Sequence, residues 1–123
     1  MNRYLVSPEA QIVDSDIVSL EEEYSISFPP SYRDFLKKHN GGHPETENDL
    51  MDLGVFYAIA DVPTSLSSAI YERELDHLIP FAESGNEDQI SFDFKDGTIW
   101  HLGKKIALSF DEFVSSYLSP IQD

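Results

Sequence analysis

The sequence predicts an α+β fold in which a mainly antiparallel sheet is flanked by helices. Three observations carry that expectation: helical spacing appears over residues 15–24 and again from Pro30 to His39, strand-like segments with one intervening helix fill residues 54–108, and helical spacing returns at residue 109. The strand connections are short and of hairpin type, which favours antiparallel pairing over a doubly wound parallel sheet. With 123 residues, no internal repeat and no linker-like change in composition, residues 1–123 are expected to form a single domain.

The first helix is expected over residues 15–24, capped by Asp14 or Ser15, with Ile17, Leu20 and Tyr24 on its apolar face and Glu21, Glu22 and Glu23 opposite. The second starts at Pro30, carries Tyr32, Phe35, Leu36 and His39 at i, i+3, i+4, i+7, and stops at Gly41. Asp34 and Lys38 stand one turn apart on its outer side and are expected to pair. Residues 54–60 form an apolar run that suits a buried strand, and a short helix follows from Thr64 or Ser65 to Glu74 or Leu75. Residues 78–82 suit a strand interrupted by Pro80, whose missing N–H places it at an edge or a bend.

Residues 90–95 alternate, with Ile90, Phe92 and Phe94 on one face and Ser91, Asp93 and Lys95 on the other. A turn at Asp96-Gly97 leads into residues 98–102. A two-residue loop would pair Phe94 with Ile99 and Phe92 with His101. A three-residue loop with Gly97 left-handed would pair Phe92 with Trp100 and Ile90 with Leu102. The second is preferred because it buries the single tryptophan opposite a phenylalanine. Residues 106–108 suit a further short strand, with Lys104 and Lys105 at a protected edge or in the turn before it. The last helix opens with a capping box, Ser109 and Glu112, buries Phe110, Phe113, Val114 and Tyr117 or Leu118, and ends before Pro120.

Composition excludes several classes. Hydrophobic residues at 41% are too many for a disordered tail, and no apolar run approaches the length of a membrane span. The apolar stretch after Arg3 is too short for a signal peptide, and zero cysteines exclude a disulfide scaffold, a thiolate metal site and a cysteine nucleophile, fitting a cytoplasmic setting. Eight Lys and Arg against 23 Asp and Glu give a net charge of −15. Such a body repels phosphate backbones and attracts basic proteins. The imbalance is uneven, since no Lys or Arg occurs in residues 4–32, 39–72 or 74–94.

Catalytic signatures do not emerge. His39, His43, Glu45, Glu47, Asp49 and Asp52 invite a metal reading, but a calcium loop starting at Glu45 has Leu50 where glycine is needed and Phe56 where glutamate is needed. Gly41 and Gly42 separate the two histidines, so they cannot share a helical face. A solvated acidic loop is the preferred reading. No nucleophile elbow is present, and Gly41-Gly42 and Gly85-Asn86 lack the spacing and lysine of phosphate loops. His77 and His101 suit surface or satisfied core positions better than catalysis. No enzyme activity, catalytic residue, metal or cofactor is expected.

Residues 26–42, Ile-Ser-Phe-Pro-Pro-Ser-Tyr-Arg-Asp-Phe-Leu-Lys-Lys-His-Asn-Gly-Gly, resemble the hallmark of the SUKH superfamily, which includes Smi/Knr-type cell-wall regulators and bacterial immunity proteins. Pro30, Tyr32, Leu36, Asn40, Gly41 and Gly42 fill its positions, and residues 78–86, 92–93 and 109–118 resemble its later strands and closing helix. The resemblance implies a SUKH-like fold and a non-enzymatic protein that binds and neutralises a cognate toxin, often a nuclease. The alternative is a regulatory scaffold of the cell-wall-regulator type. The resemblance implies a toxin protein as partner, and the charge expects that partner to be basic and nucleic acid not to be a ligand; no membrane partner is expected, and the chain itself is expected to be a monomer or weak homodimer. Charge selects the expected contact residues: Glu45, Glu47, Asp49 and Asp52 in one loop, then Glu83, Glu87 and Asp88 in another.

Overall fold

The computed structural model describes residues 3–45 and 52–121. Among these the elements run β1 (Leu5–Val6), α1 (Asp14–Tyr24), α2 (Pro30–Lys38), β2 (His43–Pro44), β3 (Leu53–Phe56), α3 (Leu66–Tyr71), β4 (Leu78–Ser84), β5 (Gln89–Asp93), β6 (Ile99–His101), β7 (Lys104–Ala107) and α4 (Phe110–Tyr117). Strands β3 to β7 form an antiparallel sheet in sequential order, and β1 pairs with β2 in a small second sheet. The architecture is α+β, as the sequence predicts. The pair β1–β2 was not foreseen: each strand has two residues, too few to show alternation, and their partnership spans the first two helices.

Helix α2 forms where its local signals require. Pro30 occupies the first helical position, Tyr32, Phe35 and Leu36 are buried, and the His39 N–H donates to the Phe35 carbonyl at 2.6 Å. Helix α1 starts one residue before the expected span, and its cap is Val13, whose N–H donates to Asp16 Oδ2 at 3.0 Å. Asp34 pairs with Lys37 at 3.8 Å, not with Lys38, and Lys37 also reaches Asp14 at 2.9 Å. In α4, Ser109 Oγ accepts from the Glu112 N–H at 3.1 Å, while the Glu112 carboxylate reaches past Ser109 to the Leu108 N–H. Helix α3 is shorter than expected and ends at Tyr71, with Ser65 as its cap.

The core lies between one face of the sheet and helices α2 and α4. Tyr32 sits at its centre, its ring centroid 5.2 Å from Phe92, 5.7 Å from Phe81 and 5.1 Å from Phe110. Phe28 meets both Tyr32 and Phe92 edge-on. Each such fully buried side chain contributes on the order of 2 kcal/mol.

Strand β4 departs from expectation in an instructive way. Pro80 is not at a sheet edge, for β4 lies between β3 and β5. It sits at a bend: the register shifts between Pro80 and Ala82, so Ile79 opposes Phe92 while Ala82 opposes Ile90. The irregularity turns both Phe81 and Ala82 into the core, where each is wholly buried. The registered β3 partners begin only at Ala82, which leaves the missing proline N–H without a ladder position to fill.

The β5–β6 hairpin adopts neither register considered from sequence. Phe92 opposes Ile99, Ser91 opposes Trp100 and Ile90 opposes His101. The loop has four residues, 94–97, flanked by Asp93 and Thr98. Asp93 accepts from Gly97 N–H through its carbonyl at 2.7 Å and from Lys95 N–H through its side chain at 2.9 Å. Asp96 Oδ1 accepts both the N–H and the hydroxyl of Thr98. A one-residue change of register inverts the faces, so Ile99 enters the core and Trp100 turns to the outer face with Ser91. Strand β7 includes Lys104 and Lys105 and occupies the edge.

Asn40-Gly41-Gly42 ties these layers together. The Asn40 side chain donates to the Ala10 carbonyl at 2.8 Å and the Ile59 carbonyl at 3.0 Å, and accepts from the Ile59 N–H at 2.8 Å. Gly41 adopts φ +80° with its missing Cβ position 2.7 Å from the Ala58 methyl, so no larger residue fits that conformation at that distance.

Candidate partner-binding surface

Strand directions decide which loops share an end of the sheet. Leu53 opposes Ser84, so the start of β3 meets the turn between β4 and β5. Strand β2 leaves the Gly42–Phe56 bridge running back along β3, which carries Glu45 toward that same end. Glu45 and Asp52 thereby converge with the turn that carries Glu83, Glu87 and Asp88, more than thirty residues further along the sequence.

The contact between them is close. The Asp52 carbonyl accepts the Gly85 N–H at 2.9 Å, and a Cβ on Gly85 would collide with Asp52 Oδ2. Ser84 organises the turn: its N–H donates to the Asp88 carbonyl at 2.9 Å, its Oγ accepts the Asp88 N–H at 3.3 Å, and its carbonyl accepts the Glu87 N–H at 2.9 Å. Glu87 is held at φ +67° and exposed, Asp88 is half-buried, and Asp52 is exposed. Glu83 is half-buried on β4, where the Tyr57 hydroxyl donates to its Oε2 at 2.9 Å. Burial pushes the Tyr57 hydroxyl well above its ordinary range; the hydrogen bond to Glu83 and the charges of Glu83 and Glu87 add to this, against a smaller opposing effect from Gln89. Tyr57 therefore remains a donor at any ordinary pH and fixes the Glu83 carboxylate.

Of the contact residues expected from sequence, Asp52, Glu83, Glu87 and Asp88 come together, and Glu45 follows β2 at the same end. Glu47 and Asp49 lie outside the described residues. No Lys or Arg occurs in residues 39–72 or 74–94, so the segments building this end contain no cation of their own. Tyr57 was missed because the whole run 54–60 reads as apolar; its position directly after buried Phe56, with a polar tip, was the available signal.

The histidines do not assemble with these acids. His39 is buried, stacked on Phe35 with centroids 4.5 Å apart, and its Nε2 accepts the Tyr4 N–H at 2.8 Å, whereas His43 is exposed with Nδ1 beside the Pro44 carbonyl. Among the described residues no group of three His, Asp or Glu is placed to hold a metal ion. Among them, too, no helix is long and apolar enough to cross a membrane.

Residues 12–116 match the SMI1 / KNR4 family (SUKH-1). The chain belongs to that family. The match covers the acidic first helix, the Asn40-Gly41-Gly42 clamp, the whole five-stranded sheet and nearly all of α4. In this SUKH-1 chain the hallmark residues are devices of folding: Pro30 starts a helix, Tyr32 and Leu36 fill the core, and Asn40 with its two glycines closes the helix onto neighbouring loops. A comparison with curated proteins returns no match.

Proposed function

We propose that this SUKH-1 domain is an immunity protein of the bacterial cytoplasm that binds a basic cognate toxin and neutralises it without turnover. The observation that carries the reading is the convergence of Asp52, Glu83, Glu87 and Asp88 at one end of the sheet, in a chain of net charge −15. A toxin that handles nucleic acid must offer cations to phosphate, and an anionic surface of fixed geometry competes for those cations. Glu83, pinned by Tyr57, is a preorganised acceptor in that surface, so less side-chain entropy is lost when a cation pairs with it.

Co-expression tests the reading. The product of the gene adjacent to this one is expressed alone and together with this chain. Growth arrest by the neighbour, relieved by the chain, is the expected result. A neighbour without toxicity, or toxicity that the chain leaves untouched, rejects the reading and favours a regulatory scaffold.

A further inference from the structure

The face of the sheet that turns away from α2 and α4 holds a groove of about 140 Å³, and Trp100 lines it. The position is unusual for the single tryptophan of the chain, because the outer-face residues beside it include Ser91, Gln89 and Lys105. The indole is held in place on two sides. Its N–H donates to Thr98 Oγ1 at 2.9 Å, Thr98 in turn donates to Asp96, and the Lys105 ammonium lies 5.8 Å from the ring centroid. Leu75 and Leu102, exposed by 53% and 66%, stand at the margins of the groove, and Leu78 contributes to its lining. Arg73 at its side is occupied with the carbonyls of Ile70 and Asp76.

This groove adjoins the acidic turn. Glu83 opposes Gln89 across β4 and β5, and continuing the β5–β6 register brings Leu102 to Gln89 on the other side. An aromatic platform with exposed aliphatic margins thus meets the acidic turn on its Gln89 side, next to Glu83, while Arg73, Glu74 and Lys105 stand on its other sides. Interfaces that last combine an apolar anchor, usually centred on Trp, Tyr or Arg, with a polar rim that speeds encounter.

We infer that the Trp100 groove is the anchor site for the cationic partner, receiving an aliphatic side chain that is flanked in the partner by Lys or Arg. This rests on the proposed function for the partner's charge and adds where its apolar contact is made. The acidic rim selects a basic protein segment over an acidic one; a rigid indole between two exposed leucines selects a chain that brings an apolar residue over one that is charged throughout.

Trp100 is its own reporter, since no other tryptophan contributes to emission. The probe is a short peptide of lysines interspersed with leucines, compared with versions carrying alanine for leucine and glutamate for lysine. Binding of the first should shift Trp100 emission to shorter wavelength and saturate. The alanine version, and the Leu75→Ser/Leu102→Ser variant against the first peptide, should each bind about tenfold more weakly. Both leucines are exposed, so the variant is expected to keep its fold, which circular dichroism verifies. No binding, binding without any change in Trp100 emission, or equal affinity for the double variant overturns the groove. Growth rescue by co-expression is scored separately: rescue with a silent Trp100 leaves the proposed function standing and removes the anchor, and a responsive Trp100 without rescue does the reverse.

Discussion

Replacing Asn40 by alanine should cost about 4 kcal/mol of stability. The side chain makes three hydrogen bonds, two donated to the Ala10 and Ile59 carbonyls and one accepted from the Ile59 N–H, and the residue is 2% exposed. Three such bonds at about 1 kcal/mol each give about 3 kcal/mol, and leaving the Ile59 N–H without an acceptor raises the loss to about 4 kcal/mol. That is a large share of the roughly 5–15 kcal/mol that holds a domain together. Urea unfolding followed by far-ultraviolet circular dichroism measures it, with an unchanged denaturant slope showing that the unfolded state is unaffected. Asn40→Asp sharpens the test. It keeps the acceptor for Ile59 N–H but sets carboxylate oxygen against two carbonyls, so it should be no milder than alanine. A loss below about 1 kcal/mol for either variant would refute the clamp as a source of stability.

His39 should make the protein less stable as pH falls. Burial lowers its pKa from the ordinary value near 6.5, and the charges of Lys38 and Arg3 act in the same direction against the Phe35 carbonyl. The unfolded chain binds a proton below 6.5 that the folded chain refuses, so stability is full above 6.5 and declines as pH drops through it toward the folded pKa. His39→Gln should show a smaller decline between pH 7.5 and 5.5 in matched urea curves, the titrating carboxylates being common to both proteins. The Tyr32 hydroxyl is wholly buried and has no hydrogen-bond partner among the described residues, so Tyr32→Phe should leave stability unchanged or raise it by about 1 kcal/mol; a loss of that size would mean the hydroxyl is satisfied in solution. Neutralising Glu45, Glu47, Asp49 and Asp52 together should slow association with the proposed basic partner and flatten its dependence on salt. Unchanged kinetics at low and high ionic strength would remove that loop from the docking surface.

Legibility followed the range of the interactions involved. The extent and buried face of helix α2 could be read, because Pro30, the Tyr32-Phe35-Leu36 stripe and Gly41 are start, face and stop signals contained within a dozen residues, whereas its outer ion pair went to Lys37 rather than Lys38. The β5–β6 hairpin was read as a hairpin with the wrong register. Its four-residue loop depends on Asp93 and Asp96 both capturing local N–H groups, and the attraction of burying a tryptophan pointed the other way. Pro80 signalled a bend correctly, but that the bend lies inside the sheet follows from β3, whose pairing with β4 is remote in sequence. The acidic contact residues were chosen by charge alone. What charge could not reveal is that Asp52 and Glu87 meet at one sheet end, that Tyr57 pins Glu83, and that Trp100 faces outward beside them.

Titrating a fixed amount of the proposed toxin partner with this chain, while following that partner's own activity, tests the central claim most directly. Stoichiometric masking requires activity to fall linearly and vanish at one chain per toxin, with the end point moving in proportion when the toxin concentration is raised. Loss of activity at a small fraction of an equivalent, continuing with time, would contradict masking and make the chain a catalyst of inactivation.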